Sequence, residues 1–330
     1  MTDHGPDLRR VLGGIAVAAA AMLAPGCGGG EPTSHFQATR VIAFGDESSL
    51  IVDTAGDANG RKYSVNATIS DVDQTIVCGS NPIWTQSVAL LYGLVFPECN
   101  NGTTPADSPV SRIRAALGAR AADLGSQIDA QQADSPIGAG DLVTVMVGAN
   151  DILALYAQYP AVSEAELVVE AEAAGAETGR QVNRLTDLGA KVLLATIFDM
   201  GVTPFGVAER NANTDTDRAA LLTRLSFRYN AEMRATIVND GRKIGLILMD
   251  EFVTEAATVA GFGGFTNTTQ GVCDLNKSTF VPPSALDCTA QTFVDTGTAL
   301  FFWADDRHLS ATAQSSFGTL AINRAQNNPF

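Results

Sequence analysis

The sequence predicts an α/β fold of three layers, in which a parallel β-sheet is covered by helices on both faces. Four apolar runs have the length and composition of buried strands, at residues 41–44, 142–147, 192–197 and 244–249. Helical patterns lie between or after these runs, at residues 82–94, 163–188, 216–240 and 311–325. The chain has 330 residues, which is enough for a large core in a single domain of this kind.

The elements follow one another in a regular order along the chain. Residues 41–44 form a short apolar run that a Gly-Asp turn ends. Residues 142–147 and the two later runs are continuously apolar, as expected of strands that are buried on both faces. Ser163 and Glu166 have the spacing of a capping box and predict the start of a long helix. Residues 311–325 are predicted to form the last helix.

Composition and charge limit the class of protein. Hydrophobic residues make up 45% of the chain and charged residues only 17%, which favours a globular protein over a disordered one. The net charge is -15, from 36 acidic and 21 basic side chains. A nucleic-acid partner is therefore excluded, because binding to phosphates needs a basic face.

The N-terminus has the features of an export signal. A short basic stretch precedes an apolar run at residues 11–23, small residues follow, and then Cys27. This pattern resembles a bacterial lipoprotein signal, so we predict a signal peptide over 1–27 with Cys27 as the lipid anchor. Residues 28–39 are rich in Gly and polar residues and predict a flexible tether. The remaining residues, 40–330, are predicted to form one folded domain.

The same pattern predicts where the protein is found. No later segment approaches the roughly 18 consecutive apolar residues of a membrane-spanning helix, so membrane contact is expected through the lipid anchor only. We expect an exported protein of the bacterial cell envelope, anchored at the outer membrane or surface, or else secreted. The alternative is an ordinary signal peptide that happens to have a cysteine nearby.

The cysteines agree with export. Five are present, and if Cys27 carries the lipid, four remain. Four cysteines allow three connectivities; we favour Cys78 with Cys99 and Cys273 with Cys288, because each pair encloses or adjoins a loop rich in turn residues. Disulfides persist in oxidising compartments. A zinc site is the competing interpretation, and the absence of any close Cys-x-x-Cys spacing disfavours it.

Polar residues that follow the predicted strands are candidates for chemistry, since ligands bind at the carboxyl ends of the strands in such folds. Asn150 comes directly after the second strand, and its amide can donate to an oxyanion. Ser48 and Ser49 follow the first strand, where backbone N–H groups can face the same anion. For all three the alternative role is a helix N-cap. Gly118, in a loop, could bring its N–H close to a substrate.

His308 is the only histidine available as a general base inside the domain, because His4 and His35 fall in the predicted signal and tether. Asp305 precedes it by three residues, a spacing at which a carboxylate can reach the imidazole Nδ1 and fix the tautomer. The alternative is an acidic, solvated loop with a surface histidine.

Together these segments resemble the SGNH/GDSL hydrolase family of esterases and lipases, over nearly all of the chain after the signal. Gly148-x-Asn150 and Asp305-x-x-His308 match two blocks of the family as they stand. The resemblance implies a flavodoxin-like sheet, an oxyanion hole that contains Gly118 and Asn150, and an Asp305–His308 pair that supplies acid and base.

The first block departs from the family pattern. After Gly-Asp the family has the nucleophilic serine, whereas this chain has Glu47, followed by Ser48 and Ser49. Three interpretations remain open: an extra residue bulges the turn so that Ser48 takes the nucleophile's place; Glu47 fills that place and the site is inactive; or Glu47 is itself functional. Consecutive side chains of a helix point about 100° apart. The register of the turn after the first strand therefore decides which of the three interpretations holds.

Two functions follow. The first is a serine ester hydrolase in which His308 takes the proton of Ser48, Asp305 orients His308, and Gly118 and Asn150 bind the oxyanion. Its partner would be a small-molecule, lipid or glycan ester, and it would be a monomer. The second is a catalytically inactive surface lipoprotein that binds a lipid or glycan. No metal or organic cofactor is implied, because the sequence has no clustered His and Cys ligands.

Overall fold

The computed structural model describes residues 1–2, 36–100, 102, 110–294 and 300–330. Cys27 and nearly all of the predicted signal and tether lie outside these residues. The described residues between Phe36 and Phe330 form one compact unit.

The described part of the chain contains both strands and helices throughout. The strands are β1 (Arg40–Gly45), β2 (Ile51–Val52), β3 (Arg61–Lys62), β4 (Arg112–Ile113), β5 (Asp141–Met146), β6 (Lys191–Ala195), β7 (Ile244–Ile247), β8 (Asn267–Gly271) and β9 (Phe301–Trp303). The helices are α1 (Trp84–Leu91), α2 (Leu124–Asp134), α3 (Ala149–Tyr156), α4 (Glu164–Asp187), α5 (Pro204–Ala212), α6 (Arg218–Thr236), α7 (Met249–Thr258) and α8 (Ala311–Asn327).

The central sheet has the strand order β4-β1-β5-β6-β7, and all of its strands are parallel. This is the flavodoxin-like order, so the predicted fold class is confirmed. The four predicted strands correspond to β1, β5, β6 and β7. Every residue of β5 is buried, which explains why the strand is apolar apart from Asp141 and Thr144. The fifth strand, β4, is a two-residue edge strand that the sequence pattern did not indicate.

Helices form a layer on each face of this sheet. Trp84 of α1 stacks on Phe317 of α8, with ring centroids 4.6 Å apart. On the other side α4 packs along α6, and α2 and α3 pack against α4. The predicted capping box is present, since Ser163 accepts from the Glu166 N–H and Glu166 reaches back to the Ser163 N–H.

A second, smaller apolar cluster lies beside the last strand, around the disulfide between Cys273 and Cys288. The other predicted disulfide, between Cys78 and Cys99, is also formed. Two disulfides indicate an oxidising, exported environment. Among the residues that the structure describes, no helix is long and apolar enough to span a bilayer.

The ends of β1 and β5 lie side by side, and this position determines where the site forms. In the sheet, β1 lies between β4 and β5. The chain passes from β1 to β4 on one side and then continues with β5 on the other side of β1, so the direction of the strand order reverses here. Such a switch point is where α/β sheets bind ligands. The two strands are in close contact there: a Cβ on Gly45 would lie 1.8 Å from the Met146 carbonyl oxygen, and Gly45 has φ +119°. Only glycine fits at this position.

Candidate active site

Glu47 begins a regular turn directly after β1. Residues Glu47–Ser49 form a short 3-10 helix in which the Ser49 N–H donates to the Asp46 carbonyl and the Leu50 N–H to the Glu47 carbonyl. The Asp46 side chain caps this turn by accepting from the Ser48 N–H at 3.0 Å. The turn has no extra residue, so the interpretation that a bulge displaces Glu47 and brings Ser48 into its place is wrong.

The Glu47 carboxylate is bound by the predicted oxyanion donors. Its Oε2 atom accepts from the Gly118 N–H at 2.9 Å and from the Asn150 side-chain amide, also at 2.9 Å. Gly118 has φ +73°, a conformation that favours glycine. Asn150 makes no capping bond, since α3 has no side-chain cap. The structure therefore brings Gly118 and Asn150 together as donors to one anionic oxygen.

The segment after Gly118 is held in place by the start of α3. Asn150 also donates to the Ala119 carbonyl at 3.2 Å, and the Asp151 carboxylate accepts from the Ala121 N–H at 3.0 Å. Both bonds come from consecutive residues that follow β5. The Asn-Asp pair thus fixes the loop that presents the Gly118 N–H beside the Asn150 amide.

The Asp305–His308 pair lies in the tight loop between β9 and α8. Asp305 Oδ2 lies 2.7 Å from His308 Nδ1, and Asp305 Oδ1 accepts from the backbone N–H groups of Arg307 and His308. Because an ionised carboxylate can only accept, Nδ1 carries a proton and Nε2 is the atom that faces the site. Both side chains are buried.

Glu47, and neither serine, faces this imidazole. Glu47 Oε1 lies 3.7 Å from His308 Nε2, slightly beyond hydrogen-bond length. Among the described residues Nε2 has no hydrogen-bond partner, so Ser48 does not reach it. Ser49 is buried, and its hydroxyl accepts from the Trp84 indole N–H at 3.2 Å, a structural role. The structure thus places Glu47, and not Ser48 as predicted, beside His308 Nε2.

The three ionisable side chains form a row of alternating charge. Burial would raise the pKa of Glu47, but the facing His308 and the N–H groups of Gly118 and of Glu47 itself lower it to about 2. Burial would lower the pKa of His308, but the carboxylates of Asp305 and Glu47 raise it to about 10. Contacts with His308 hold the pKa of buried Asp305 well below its usual range. At neutral pH the site contains an imidazolium between two carboxylates.

Asp46 makes the stability of the fold depend on pH. Burial, and then the charge of Glu47, raise the pKa of Asp46 from 3.8 to about 8. The stability that protonated Asp46 contributes is therefore fully present below pH 3.8 and is lost as the pH rises through about 8. His308 acts in the same direction, since its pKa is raised from 6.5. We expect the free energy of unfolding in urea to fall by about 2–4 kcal/mol between pH ~6 and pH ~9.

The Asp46→Asn variant is the control for this prediction. Asparagine keeps the side-chain oxygen that accepts from the Ser48 N–H but does not ionise, so the fall in stability should become smaller. An unchanged pH dependence in the variant would contradict the role of Asp46.

Tyr63 also belongs to the site and was missed by the sequence analysis. Its ring lies 5.4 Å from the His308 ring, centroid to centroid, and the two ring planes are tilted by 38°. Burial and the charge of Glu47 raise the pKa of Tyr63, whose side chain is hydrogen-bonded to Ser284. An aromatic face beside an imidazolium is a favourable cation–π environment. Tyr63 directly follows β3, a two-residue strand, and no motif marks this position.

These residues define an acyl-transfer type of site, with two oxyanion donors and a His-Asp pair converging on one carboxyl group. Residues 83–320 match the model of the GDSL-like Lipase/Acylhydrolase family. The chain belongs to this family, which confirms the predicted resemblance, and it is assigned to the hydrolases that act on ester bonds. The match includes both oxyanion donors and the His-Asp pair, and it begins after Glu47. No curated protein matches the sequence.

Several solved structures are similar in fold. A lipase from a goat rumen metagenome is 12% identical, with 87% of this chain and 97% of that chain covered and a TM-score of 0.44. An acetyl xylan esterase is 14% identical, with 86% and 98% covered and a TM-score of 0.40. A GDSL-like lipase from Parabacteroides merdae is 10% identical, with 89% and 98% covered and a TM-score of 0.41.

Proposed function

We propose that the protein hydrolyses carboxylic esters at the site formed by Gly118, Asn150, Asp305 and His308. The observation that supports this most directly is the position of the Glu47 carboxyl group. One of its oxygens is bound by both oxyanion donors, and the other faces the imidazole at 3.7 Å. A carboxyl carbon held in this way lies where the carbonyl carbon of an ester must lie for attack by a nucleophile that His308 activates.

In the proposed reaction the ester carbonyl enters the hole after the Glu47 side chain has left it. Departure of the Glu47 carboxylate removes one of the charges that raise the pKa of His308, so this pKa falls and the imidazole becomes neutral. His308 Nε2 then removes the proton of an attacking water, while Asp305 holds the Nδ1 proton and stabilises the imidazolium that forms. Gly118 and Asn150 donate to the tetrahedral oxyanion. As the intermediate collapses, His308 returns the proton to the alcohol that leaves. Water is the nucleophile here because Ser48 does not reach His308. The substrate class is a small-molecule, lipid or acetylated glycan ester.

Hydrolysis of p-nitrophenyl acetate by the protein without its signal sequence tests this function. We expect turnover that depends on His308, with a loss of about 10²–10⁴-fold in kcat/KM for His308→Ala, because a positioned general base contributes by this factor. The variant must keep the cooperative thermal unfolding of the parent protein. Equal rates for the two proteins would rule out the esterase.

The second candidate function is a binding protein without catalysis. The Glu47–His308 pair favours it, since the carboxylate fills the oxyanion hole and the imidazole is protonated at neutral pH. Such a protein would bind a lipid or glycan at this site and show no His308-dependent turnover. The ester assay above therefore separates the two functions.

We further propose that the protein is exported to the cell envelope and anchored through Cys27. The two disulfides support export, and the pattern around Cys27 supports the anchor. Incorporation of labelled palmitate, lost in Cys27→Ser, tests the anchor.

A further inference from the structure

Glu47 has the geometry of a nucleophile whose own carbonyl lies in the oxyanion hole. Oε2 is bound by Gly118 and Asn150, while Oε1 points away from these donors and toward His308 Nε2. Nε2 is buried and has no hydrogen-bond partner among the described residues. The site therefore contains an anionic oxygen that is not held by the hole, and an N–H beside it that is free to serve a reacting group.

We propose that Glu47 Oε1 attacks a saturated carbon that carries a leaving group, as in an epoxide or a primary alkyl halide, and that the resulting glutamyl ester is hydrolysed in the same hole. The proposal goes beyond ester hydrolysis as an overall reaction. It rests on the proposed function in one respect: the hole and His308 hydrolyse an ester, here the one formed on Glu47.

Attack at a saturated carbon fits the geometry better than attack at an acyl carbon. Acyl transfer to Glu47 would need the hole for the oxygen of the substrate, and Glu47 Oε2 already fills it. A carboxylate is also a much better leaving group than an alkoxide, so an acyl adduct formed from an ordinary ester would revert. Displacement at a saturated carbon forms no tetrahedral oxyanion in its first step and leaves the hole available for the second.

The steps balance without a cofactor. In the first step Oε1 forms a bond to carbon, the carbon–oxygen bond of the epoxide breaks, and His308 Nε2 gives its proton to the oxygen that leaves. A halide leaves as the anion without this proton, and His308 then releases its proton to solvent water once Glu47 is a neutral ester. In the second step neutral His308 removes a proton from water, which attacks Glu47 Cδ, and Gly118 and Asn150 bind the oxyanion on Oε2. Collapse breaks the glutamyl ester bond, and the proton on His308 passes to the alcohol that leaves. The Glu47 carboxyl group then returns its proton to His308.

The charges of the site support the change in the role of His308. At rest the carboxylates of Asp305 and Glu47 both raise the pKa of His308, so the imidazolium can act as an acid. Alkylation converts Glu47 to a neutral ester and removes one of these charges. The pKa of His308 then falls, and the imidazole becomes available as the base that the second step needs.

Oxygen-18 labelling tests the proposal. The protein is incubated with styrene oxide or n-butyl bromide in water enriched in oxygen-18, and the tryptic peptide over residues 41–61, which contains Glu47, is fragmented in a mass spectrometer. We expect label in the Glu47 carboxylate after turnover and unlabelled oxygen in the product of the first turnover. Label in Glu47 after incubation with styrene oxide identifies an epoxide as the electrophile, and label after incubation with n-butyl bromide identifies an alkyl halide. Label in the first-turnover product with none in Glu47 would overturn the proposal.

Two variants complete the test. With n-butyl bromide, whose halide leaves without a proton from His308, the alkyl adduct on Glu47 should accumulate to about one per chain in His308→Gln, because hydrolysis of the adduct loses the general base and slows by about 10³-fold. Glu47→Gln keeps the shape of the side chain and should form no adduct. Absence of both turnover and adduct with either electrophile would also overturn the proposal.

The ester assay keeps the two proposals distinguishable. His308-dependent turnover of p-nitrophenyl acetate with no label in Glu47 retains the proposed function and rejects the glutamyl ester. Label in Glu47 without turnover of the acetate supports the glutamyl ester and rejects external esters as substrates.

Discussion

Glu47→Ser is expected to increase the kcat/KM for p-nitrophenyl acetate by about 10²–10³-fold. Glu47 begins the turn after β1, and its side chain points at His308 Nε2. A serine in this position empties the oxyanion hole of its internal carboxylate. It also removes a charge that raises the pKa of His308, so the imidazole is more often neutral and can accept the serine proton. All other parts of a Ser-His-Asp site are already in place.

Three matched controls make this prediction specific. Glu47→Ala empties the hole without supplying a nucleophile, and we expect less than a tenth of the rate of Glu47→Ser. A fluorophosphonate should label the serine introduced at position 47 and leave Glu47→Ala unlabelled. Ser48→Ala, in either background, should leave both the rate and the labelling unchanged. A rate for Glu47→Ser no higher than that for Glu47→Ala would contradict the assignment of Glu47 to the nucleophile position.

The fold could be predicted from the sequence largely because its central strands are buried on both faces. Runs such as residues 142–147 leave little choice of structure. Elements with mixed composition were missed. In α2 the buried positions include Gln127 and Gln131 beside Leu124 and Ile128, so the apolar periodicity is weak. Gln127 is buried because its amide bonds the backbone of Gly45, at the end of β1. Tertiary contacts of this kind have no local signal.

Most residues of the candidate site could be predicted from the sequence, but the register of the turn after β1 could not. Asn150, Asp305 and His308 were identified because each lies at the end of a strand or at a spacing that brings side chains together. The choice between Glu47 and Ser48 depends on whether the turn after β1 gains a residue. Two backbone hydrogen bonds, from Ser49 to Asp46 and from Leu50 to Glu47, decide this, and the side-chain pattern favours neither outcome. Tyr63 reaches the imidazole from a distant segment, which the sequence alone could not place there.

Asp305→Asn is expected to lower kcat/KM for p-nitrophenyl acetate by about 10²–10⁴-fold in the Glu47→Ser background, with little change in KM. Asp305 Oδ1 accepts from two backbone N–H groups and Oδ2 binds His308 Nδ1. An asparagine that keeps its oxygen toward the backbone turns its NH2 group toward Nδ1. The imidazole must then carry its proton on Nε2, where it cannot act as a base. Loss of the charge also removes a cause of the raised pKa of His308.

Asp306→Asn is the matched control for Asp305→Asn. Asp306 is the adjacent residue, and its carboxylate pairs with Arg307 at 3.2 Å. We expect Asp306→Asn to change kcat/KM by less than about threefold, since exposed pairs contribute little.

Asp305→Asn should also lower the free energy of unfolding by about 1–3 kcal/mol, because a buried charged acceptor is replaced. Rates are therefore compared well below the melting temperature. Equal losses in the two variants would contradict a tautomer-fixing role. Loss of the low-field Nδ1 proton signal only in Asp305→Asn would support it, because that signal requires a carboxylate at Nδ1 and does not depend on general stability.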